Sequence, residues 1–448
     1  MHEHGASVAQ HVLFGFDALW LSTAVLVFTY AVIISERLNR AIIALVGAML
    51  MVWFGILSQE QAIASIDFNT IGLLIGMMII VSVTRKCGIF EYLAIWSAKQ
   101  VKASPAGILA MLAIVTAILS ALLDNVTTVL LVVPVTLVVT EELKIDAYPY
   151  LFSQILASNI GGTATLIGDP PNILIGTQVG LTFNQFVANL APVVLIILAV
   201  HVAAMHLIWG RRLHASERAR ALVMAFDPRR SISNPRLLKQ SLAVIFVVIV
   251  CFALSRSLGI EPGVIALTGA AVLLALDNIG KAAETQSENV THVFHEVEWI
   301  TIFFFVGLFV VIAGVEHSGL LLLLADELVA LTGGDLSVTT MGVLWASAVL
   351  SAIVDNIPFV ATMIPLIKSM APSFGGPEGL APLWWALSLG ACLGGNGTLI
   401  GASANLTVAG IAERSGVPFH FVSFLKLAFP LMLGQVLIAC VYVLWRFL

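Results

Sequence analysis

Apolar runs of roughly 17–25 residues follow one another along the whole chain, with only short polar stretches between them. Runs of that length cross a bilayer as helices, because a helix rises about 1.5 Å per residue through a hydrocarbon layer about 30 Å thick. Hydrophobic residues make up 59% of the 448 and charged residues 10%, against about 45–50% and about 25% in soluble chains. The sequence therefore predicts an all-α polytopic membrane protein.

Several classes of function are disfavoured at this point. A net charge of −5 argues against a nucleic-acid partner. The sequence has no nucleophile–base pair, phosphate loop or metal-ligand spacing, so we expect no enzyme, no resident metal and no cofactor. The first residues, 1–16, lack the positive segment of a secretory signal and are expected to form an amino-terminal tail.

A basic linker, residues 210–236, separates two apolar halves, residues 17–209 and 237–448. Cytoplasmic loops carry an excess of Lys and Arg, so the linker is predicted to be cytoplasmic. Suppose that each half crosses the membrane five times and also holds one re-entrant hairpin. All Lys and Arg residues then lie on the cytoplasmic side except Arg256, Lys368 and Arg446, and both termini lie outside.

The two halves repeat the same pair of motifs. The first half contains "LSALLDNVTTVLLVVP" (119–134) and then "GGTATLIGDPPN" (161–172). The second half contains "LSAIVDNIPFVATMIP" (350–365) and then "GGNGTLIGASAN" (394–405). An odd number of crossings per half places the second copy upside down, and inverted repeats of this kind are typical of secondary transporters.

The glycine-rich motifs predict helices that break at the membrane midplane, over residues 148–178 and 382–411. Pro170 and Pro171 each remove an amide donor, and a helix can break in hydrocarbon only where protein or a wet cavity satisfies its backbone. The freed carbonyls can hold a cation, and the half-helix amino-terminus can face an anion or a polar solute. A kink required only for packing is the alternative, which the recurrence of the motif disfavours.

The Asp-Asn motifs predict re-entrant hairpins over 105–142 and 338–371, with Asp124 and Asp355 at their tips. A carboxylate inside the membrane costs roughly 3 kcal/mol or more unless it is paired or hydrated, so each is a functional candidate. A role in gaining and losing a proton is the functional interpretation. Capping of the following half-helix is the structural alternative, and the two roles are compatible.

Other polar residues are expected to serve structural roles. Asp277 precedes Asn278 in a third Asp-Asn pair, but it falls at a predicted helix end and is interpreted as a cap. His201 and His206 lie near the end of a helix and are expected to face the membrane interface, with a proton relay as the less favoured role.

The paired motifs resemble those of the ion transporter superfamily, and most closely the family of the bacterial arsenite permease, the NhaD-type sodium–proton antiporter and the animal pink-eyed-dilution protein. The resemblance runs from about Asp17 to the carboxyl end. It implies a homodimer in the bacterial cytoplasmic membrane, in which each protomer has a scaffold part and a transport part that moves like an elevator. If the protein is an arsenite pump, it also implies a cytosolic ATPase as a partner, besides the lipid bilayer.

Matching the family motifs position by position gives the candidate substrate and ion site. The hairpin tips contribute Asp124, Asn125, Thr127, Thr128, Asp355 and Asn356. The first break contributes Gly161, Gly162, Thr163, Thr165, Gly168, Asp169 and Asn172. The second break contributes Gly394, Gly395, Asn396, Thr398, Gly401 and Asn405. Cys392, two residues before Gly394, is added as a candidate because of its thiol and not because of a family motif.

The tips depart from the Ser-Asn-Thr pattern of the related dicarboxylate carriers. Asp124 takes the place of Ser, and a fixed carboxylate repels a dianion. With no Arg or Lys predicted nearby, the site favours a cation or a neutral solute such as As(OH)3, with a proton exchanged at Asp124 and Asp355. Cys392 could contact a thiophilic cargo, although packing is the commoner role of a lone Cys.

The leading hypothesis is therefore proton-coupled efflux of arsenite and antimonite. Sodium–proton antiport is the alternative, with Na⁺ held transiently at Asn125 and Asn356, and H⁺ or Na⁺ is the coupling ion in either case. Sodium-coupled uptake of a carboxylate or another anion is a further alternative, and a channel or sensor built on a transporter fold is the least favoured.

Overall fold

The computed structural model describes residues 12, 15–35 and 37–448, and the regular structure of these residues is entirely helical. The predicted tail, residues 1–16, lies almost wholly outside the described part. Nine of the described helices are long and apolar enough to cross a membrane, and two further apolar helices are shorter.

The first half forms ten helices, of which nine lie at the positions that the apolar runs indicate and one short helix, residues 59–64, does not. They are α1 (Ala18–Ser35), α2 (Arg40–Trp53), α3 (Gln59–Ala64), α4 (Phe68–Arg85), α5 (Ile89–Gln100), α6 (Pro105–Leu122), α7 (Asn125–Leu143), α8 (Tyr148–Gly162), α9 (Pro170–Val179) and α10 (Phe183–Met205). The sequence predicts one helix over residues 39–57, but α2 ends at Trp53 because Gly55 adopts a left-handed conformation with φ of 74°.

The linker and the second half form eleven helices. They are α11 (Glu217–Ala225), α12 (Pro235–Leu258), α13 (Pro262–Asn278), α14 (Ala283–His295), α15 (Trp299–His317), α16 (Leu320–Leu331), α17 (Leu336–Ile353), α18 (Asn356–Ser369), α19 (Ala381–Gly394), α20 (Ser403–Arg414) and α21 (Phe421–Arg446). Sequence analysis does not predict α11 and α14, since both are polar and lack the long apolar run on which the helix predictions rest.

The basic linker is packed against α5 rather than loose. Lys99 Nζ donates to the carbonyl of Phe226 at 2.7 Å, and Arg220 donates to the carbonyl of Lys102 at 3.0 Å. Gly88 adopts φ of 78°, and a Cβ there would lie 1.8 Å from the carbonyl oxygen of Ser231. A glycine is therefore required at the start of α5 for the linker to pass this closely.

The described residues divide into two compact units. One comprises the described residues up to 71 together with residues 298–339 and 361–380, and contains α1, α2, α3, α15 and α16. Its core joins Val25, Met51 and Ile56 to Val311 and Val315. Within this unit Gly307 of α15 lies against the backbone of α2, where a Cβ would come 2.4 Å from the carbonyl carbon of Ala44.

The other unit comprises residues 72–297, 340–360 and 381–448, and it contains both glycine-rich breaks and both Asp-Asn tips. Within it Gly76 of α4 lies against α13, and a Cβ would come 2.5 Å from the carbonyl carbon of Ala266. Gly76 and Gly307 occupy matching places in the two halves. In each unit, therefore, a helix from one half packs tightly on a helix from the other half.

Candidate transport site

The first broken helix ends at Gly162 and resumes at Pro170, and residues 163–169 between them are not helical, although Thr163 N and Ala164 N still donate to carbonyls of the last turn of α8. A Cβ on Gly161 would lie 2.1 Å from the carbonyl oxygen of Ala117 in α6. The unwound backbone is satisfied by side chains: Asn172 Nδ2 donates to the carbonyl of Thr165 at 2.9 Å, and Thr165 Oγ1 donates to the carbonyl of Ala121 at 2.6 Å. Side-chain donors thus allow the helix to break inside the protein.

The second broken helix has the same construction. It ends at Gly394, makes a short 3₁₀ turn, and resumes at Ser403. A Cβ on Gly394 would lie 2.4 Å from the carbonyl oxygen of Ala348. Asn405 Nδ2 donates to the carbonyl of Thr398 at 2.8 Å and to that of Gly395 at 2.7 Å. Thr398 Oγ1 in turn donates to the carbonyl of Ala352 at 2.6 Å.

Each break contains one further glycine, at which the unwound loop passes close to the backbone that precedes it. A Cβ on Gly168 would lie 2.6 Å from the carbonyl oxygen of Gly162, and one on Gly401 would lie 2.8 Å from that of Gly395. Both loops therefore fold back onto the helix that precedes them, which only a glycine permits at such a distance.

The first hairpin tip, between α6 and α7, is held by Asp124. Its Oδ1 accepts from Thr127 N at 2.8 Å and its Oδ2 from Thr127 Oγ1 at 2.5 Å, so Asp124 caps α7. Asn125 follows and joins the tip to the first break. Its amide nitrogen lies 3.1 Å from Asn159 Oδ1 and 3.2 Å from Asp169 Oδ1.

The second hairpin tip, between α17 and α18, is held differently. Asp355 Oδ1 accepts from Ile357 N at 3.3 Å, a weaker cap than that of Asp124. Its Oδ2 accepts from Ser403 Oγ at 3.2 Å, which ties this tip to the start of α20. Asn356 is buried beside it with 3% of its surface exposed.

Asparagine side chains also join the two breaks to each other. Asn159 Nδ2 donates to Asn405 Oδ1 at 2.9 Å and to Asn396 Oδ1 at 3.0 Å. Asn396 Nδ2 in turn donates to Gln435 Oε1 of α21 at 2.8 Å. On the opposite side Ser388 Oγ donates to Asn172 Oδ1 at 2.5 Å, and the thiol of Cys392 lies 3.5 Å from the same oxygen.

The centre of this network has unsatisfied polar atoms and an excess of negative charge. Asn125 Oδ1, Asp169 Oδ2 and Asn356 Nδ2 are buried and make no hydrogen bond of good geometry with a described residue, although the Asn356 amide and the Cys392 thiol approach the Asp169 carboxylate. The charges of Asp124 and Asp355 both act on Asp169, which is fully buried. Neither Asp124 nor Asp169 forms a salt bridge with a described residue, and the tip and break segments contain no Lys or Arg.

A ligand is the simplest explanation for such a centre. Buried polar atoms in native proteins are nearly always paired, so the unpaired Asn125 Oδ1 and the poorly paired Asn356 and Asp169 side chains mark a place where a solute, an ion or water binds. Uncompensated carboxylates favour a cation or a proton there. No group of three or more described His, Cys, Asp or Glu residues has metal-site geometry.

The sequence-predicted site residues therefore fall into two groups. Asp124, Asn125, Asp169, Asn356 and Cys392 line the unsatisfied centre, to which Asp355 is coupled by its charge. The glycines and threonines of the breaks, together with Asn172, Asn396 and Asn405, build the loops and connect them. Thr127 belongs to the cap, and Thr128 Oγ1 is buried with no partner among the described residues.

Sequence analysis missed four polar residues of the network, namely Asn159, Ser388, Ser403 and Gln435. Each lies in or beside an apolar run, as Asn159 does in "ASNIGG", and a lone amide in such a run is a signal that could have found it. Ser403 replaces the Pro of the first break and gains a hydroxyl that reaches Asp355.

Two structural interpretations from the sequence are wrong. Asp277 does not cap a helix: it lies in the last turn of α13, where its carboxylate binds Lys281 Nζ at 2.9 Å and Lys86 Nζ at 3.3 Å. His201 does not face the interface, because only 2% of its surface is exposed and its Nε2 lies 3.1 Å from Ser153 Oγ of α8. His206 is exposed, as expected.

Long apolar helices, two interrupted helices and a buried polar centre between them define a membrane transporter, not an enzyme. Residues 30–390 match the CitMHS family model, described as a citrate transporter, and the chain belongs to that family. The predicted membership of the ion transporter superfamily is confirmed.

Individual relatives agree with this assignment. An uncharacterized transporter of Mycobacterium tuberculosis, Rv2684, is 40% identical over 431 residues, covering 95% of this chain and 98% of the relative. The human P protein is 32% identical over 507 residues, covering 95% of this chain and 59% of the P protein. The crystal structure of the Alcanivorax borkumensis YdaH transporter shares the fold, with a TM-score of 0.61 at 16% identity over 96% of this chain and 98% of that one.

Proposed function

We propose that this protein is a proton-coupled secondary transporter whose cargo is a cation or an uncharged polar solute. The observation that carries the proposal is the pair of buried carboxylates Asp124 and Asp169, with the half-buried Asp355 near them, unpaired polar atoms beside them and no Lys or Arg in the tip and break segments. Two buried carboxylates without a Lys or Arg partner are costly in a water-poor interior, and protons or metal cations that bind there remove that cost. If the same carboxylates bind either protons or the cargo, the movement of protons in one direction is coupled to the movement of cargo in the other.

The first candidate cargo is arsenite or antimonite, exported in exchange for protons. As(OH)3 is uncharged near neutral pH, so it meets no repulsion from the carboxylates, and its hydroxyls match the unpaired amide and carboxylate atoms. The Cys392 thiol is fully buried and lies beside Asp169, which places a soft sulfur at the same centre.

Sodium is the second candidate and would compete with protons for the same carboxylates. Asn125 Oδ1 is a buried, unpaired acceptor of the kind that coordinates a hard cation, and Asp169 Oδ2 lies in the same network. In this arrangement Asn125 and Asn356 help to hold the ion, and the protein is a sodium–proton antiporter.

Citrate is the third candidate, because the family model carries its name. A citrate trianion would be repelled by the carboxylate centre unless cations accompany it. Citrate transport is therefore expected to depend on a divalent metal or on sodium, and to fail when neither is supplied.

The wider architecture follows from the same proposal. The two halves form an inverted repeat, and both hairpins with both broken helices move as one body, elevator-fashion, against a scaffold in a homodimer. The membrane is the bacterial cytoplasmic membrane. A cytosolic ATPase becomes a partner only if the cargo is arsenite.

The test is flux in proteoliposomes with an imposed pH gradient, with internal pH read by an enclosed dye. Arsenite, sodium, citrate, and citrate with Mg²⁺ are added in separate experiments. Proton movement that requires arsenite or sodium supports the proposal and selects the cargo. Proton-independent uptake of metal-free citrate would overturn it, since the carboxylate centre could not then be the coupling site.

A further inference from the structure

The first half contains a buried polar strip that the proposed site does not use. It comprises Thr116 of α6, Thr136 of α7, Ser153 and Gln154 of α8, and His201 of α10, and all five are buried. Gln154 Nε2 donates to Thr136 Oγ1 at 2.9 Å and lies 3.4 Å from Thr116 Oγ1. His201 Nε2 pairs with Ser153 Oγ.

Two atoms of this strip have no partner among the described residues: Gln154 Oε1 and His201 Nδ1. Both lie in the interior of a membrane protein, where bulk water does not reach them. Native structures satisfy such atoms with ordered water when the site is polar, and this strip supplies several hydroxyl and amide neighbours for a water to contact.

The second half lacks most of the strip, because four of the five positions are apolar there and only Thr116 has a polar counterpart, Ser347. The matching glycine-rich motifs align Ser153 with Ala386 and Gln154 with Leu387, and the matching prolines Pro192 and Pro430 align His201 with Ala439. The Asp-Asn motifs align Thr136 with Ile367. Helix packing in this fold thus does not require polar groups at these positions, because one half builds the same elements with apolar residues.

The strip leads toward the carboxylate centre along α8. Ser153 and Asn159 are separated by six residues, or about 9 Å along the helix axis. Ser120 Oγ, which donates to the carbonyl of Ser158 at 2.6 Å, and the hydroxyl of Ser158 lie on this stretch. Asn159 then contacts Asn125, which contacts Asp169. About three hydrogen-bonded waters would span the interval.

We propose that the strip of Thr116, Thr136, Ser153, Gln154 and His201 holds buried water and carries protons between the Tyr148 end of α8 and the carboxylate centre. The inference rests on the proton coupling proposed above. It adds a path by which protons reach the carboxylate centre from the first half only. His201 is the ionisable member. Its described hydrogen bond is to Ser153, and it forms no salt bridge with a described residue. Tyr148 and Tyr150 are the ionisable groups in the adjoining part of α8, and the hydroxyl of Tyr150 donates to the carbonyl of Pro105.

The variants Gln154→Leu and His201→Ala give the first half the residues of the second half. Ser347→Ala is the matched control, because Ser347 aligns with Thr116 and its buried hydroxyl also has no described partner, yet it lies in the second half. Gln154→Leu and Ser347→Ala remove a buried polar group with little loss of volume, so the melting temperature should change little in either. His201→Ala also leaves a cavity and an unpaired Ser153 hydroxyl, so a lower melting temperature is expected for it, and its exchange rate is the control for folding.

The assay measures proton movement in proteoliposomes with the cargo, arsenite or sodium, that drives it in the wild type, alongside cargo–cargo exchange, which needs no net proton transfer. We expect Gln154→Leu and His201→Ala to slow proton-coupled flux at least tenfold and to leave exchange unchanged, whereas Ser347→Ala changes neither. Normal proton flux in both variants would overturn the proposed proton route through the strip and leave the proposed transport function untouched. If both variants lost cargo–cargo exchange and thermal stability together, the strip would have a structural role and the proposed proton route would be overturned. A wild type that moves cargo without protons would overturn the proposed function and this inference with it.

Discussion

The two broken helices are built alike but carry different charge. In both, a glycine lies against a carbonyl of the hairpin, a threonine hydroxyl donates to the hairpin backbone, and an asparagine amide holds the unwound loop. The first break then has Asp169 and two prolines, where the second has Ala402, Ser403 and Ala404. The shared residues are those the fold requires, and the residues that differ are those that give the site its chemistry.

The largest effect is expected from removing charge at the tips without removing the caps. Asn is as good an N-cap as Asp, so Asp124→Asn and Asp355→Asn should leave α7 and α18 intact. Each should lower proton-coupled flux by about 100-fold or more, which corresponds to about 2.7 kcal/mol of lost coupling. The measurement is dye-reported flux, with the melting temperature and elution volume as controls for folding. A variant that exchanges protons at the wild-type rate would remove that Asp from the coupling role.

The close glycines should show the next largest effect, and it should be similar in the two halves. Gly161→Ala and Gly394→Ala each force a methyl group against a carbonyl oxygen, and overpacking of this kind costs about 1–3 kcal/mol. Thermal unfolding in detergent would measure the loss. Gly342→Ala is the control, because it lies in α17 with nothing within 4 Å of the new methyl group, and it should be neutral or stabilising. Equal melting temperatures for all three variants would contradict the close packing.

The threonine hydroxyls of the two breaks make equivalent hydrogen bonds, so removing each one compares its contribution to stability in the two halves. Thr165→Val and Thr398→Val each remove a 2.6 Å hydrogen bond to a hairpin carbonyl. Each should lower stability by about 1 kcal/mol, and by similar amounts. Unfolding of the single and double variants would test this. A large loss at one position and none at the other would show that only one hairpin depends on its break.

Cys392 should give the smallest effect and the most selective one. If arsenite is the cargo, Cys392→Ala removes a sulfur next to Asp169 and should weaken arsenite transport several-fold, while sodium-driven proton movement stays the same. Concentration-dependent flux for the two cargoes separates these outcomes. Equal transport of arsenite by both proteins would return Cys392 to a packing role.

Much of this organisation could be predicted from the sequence because it rests on local patterns. The apolar runs place the membrane helices, and the duplicated glycine, asparagine and Asp-Asn motifs mark the breaks and tips. Contacts between distant segments could not be predicted: Asn159 meets Asn405, 246 residues away, and Asp277 meets Lys86, 191 residues away. His201 was misjudged because nearness to a helix end says nothing about which side of the helix is buried.

The tight packing of Gly307 on α2 and of Gly76 on α13 also bears on how the chain is made. Ala44 is synthesised about 260 residues before Gly307, and Gly76 about 190 residues before Ala266. At about 5–20 residues per second, α2 waits roughly 13–50 s in the membrane before α15 emerges from the ribosome. During that interval lipid or the insertion machinery must cover the surfaces that α15 later occupies. A first half expressed alone should therefore be degraded in the cell, and co-expression of the second half should rescue it.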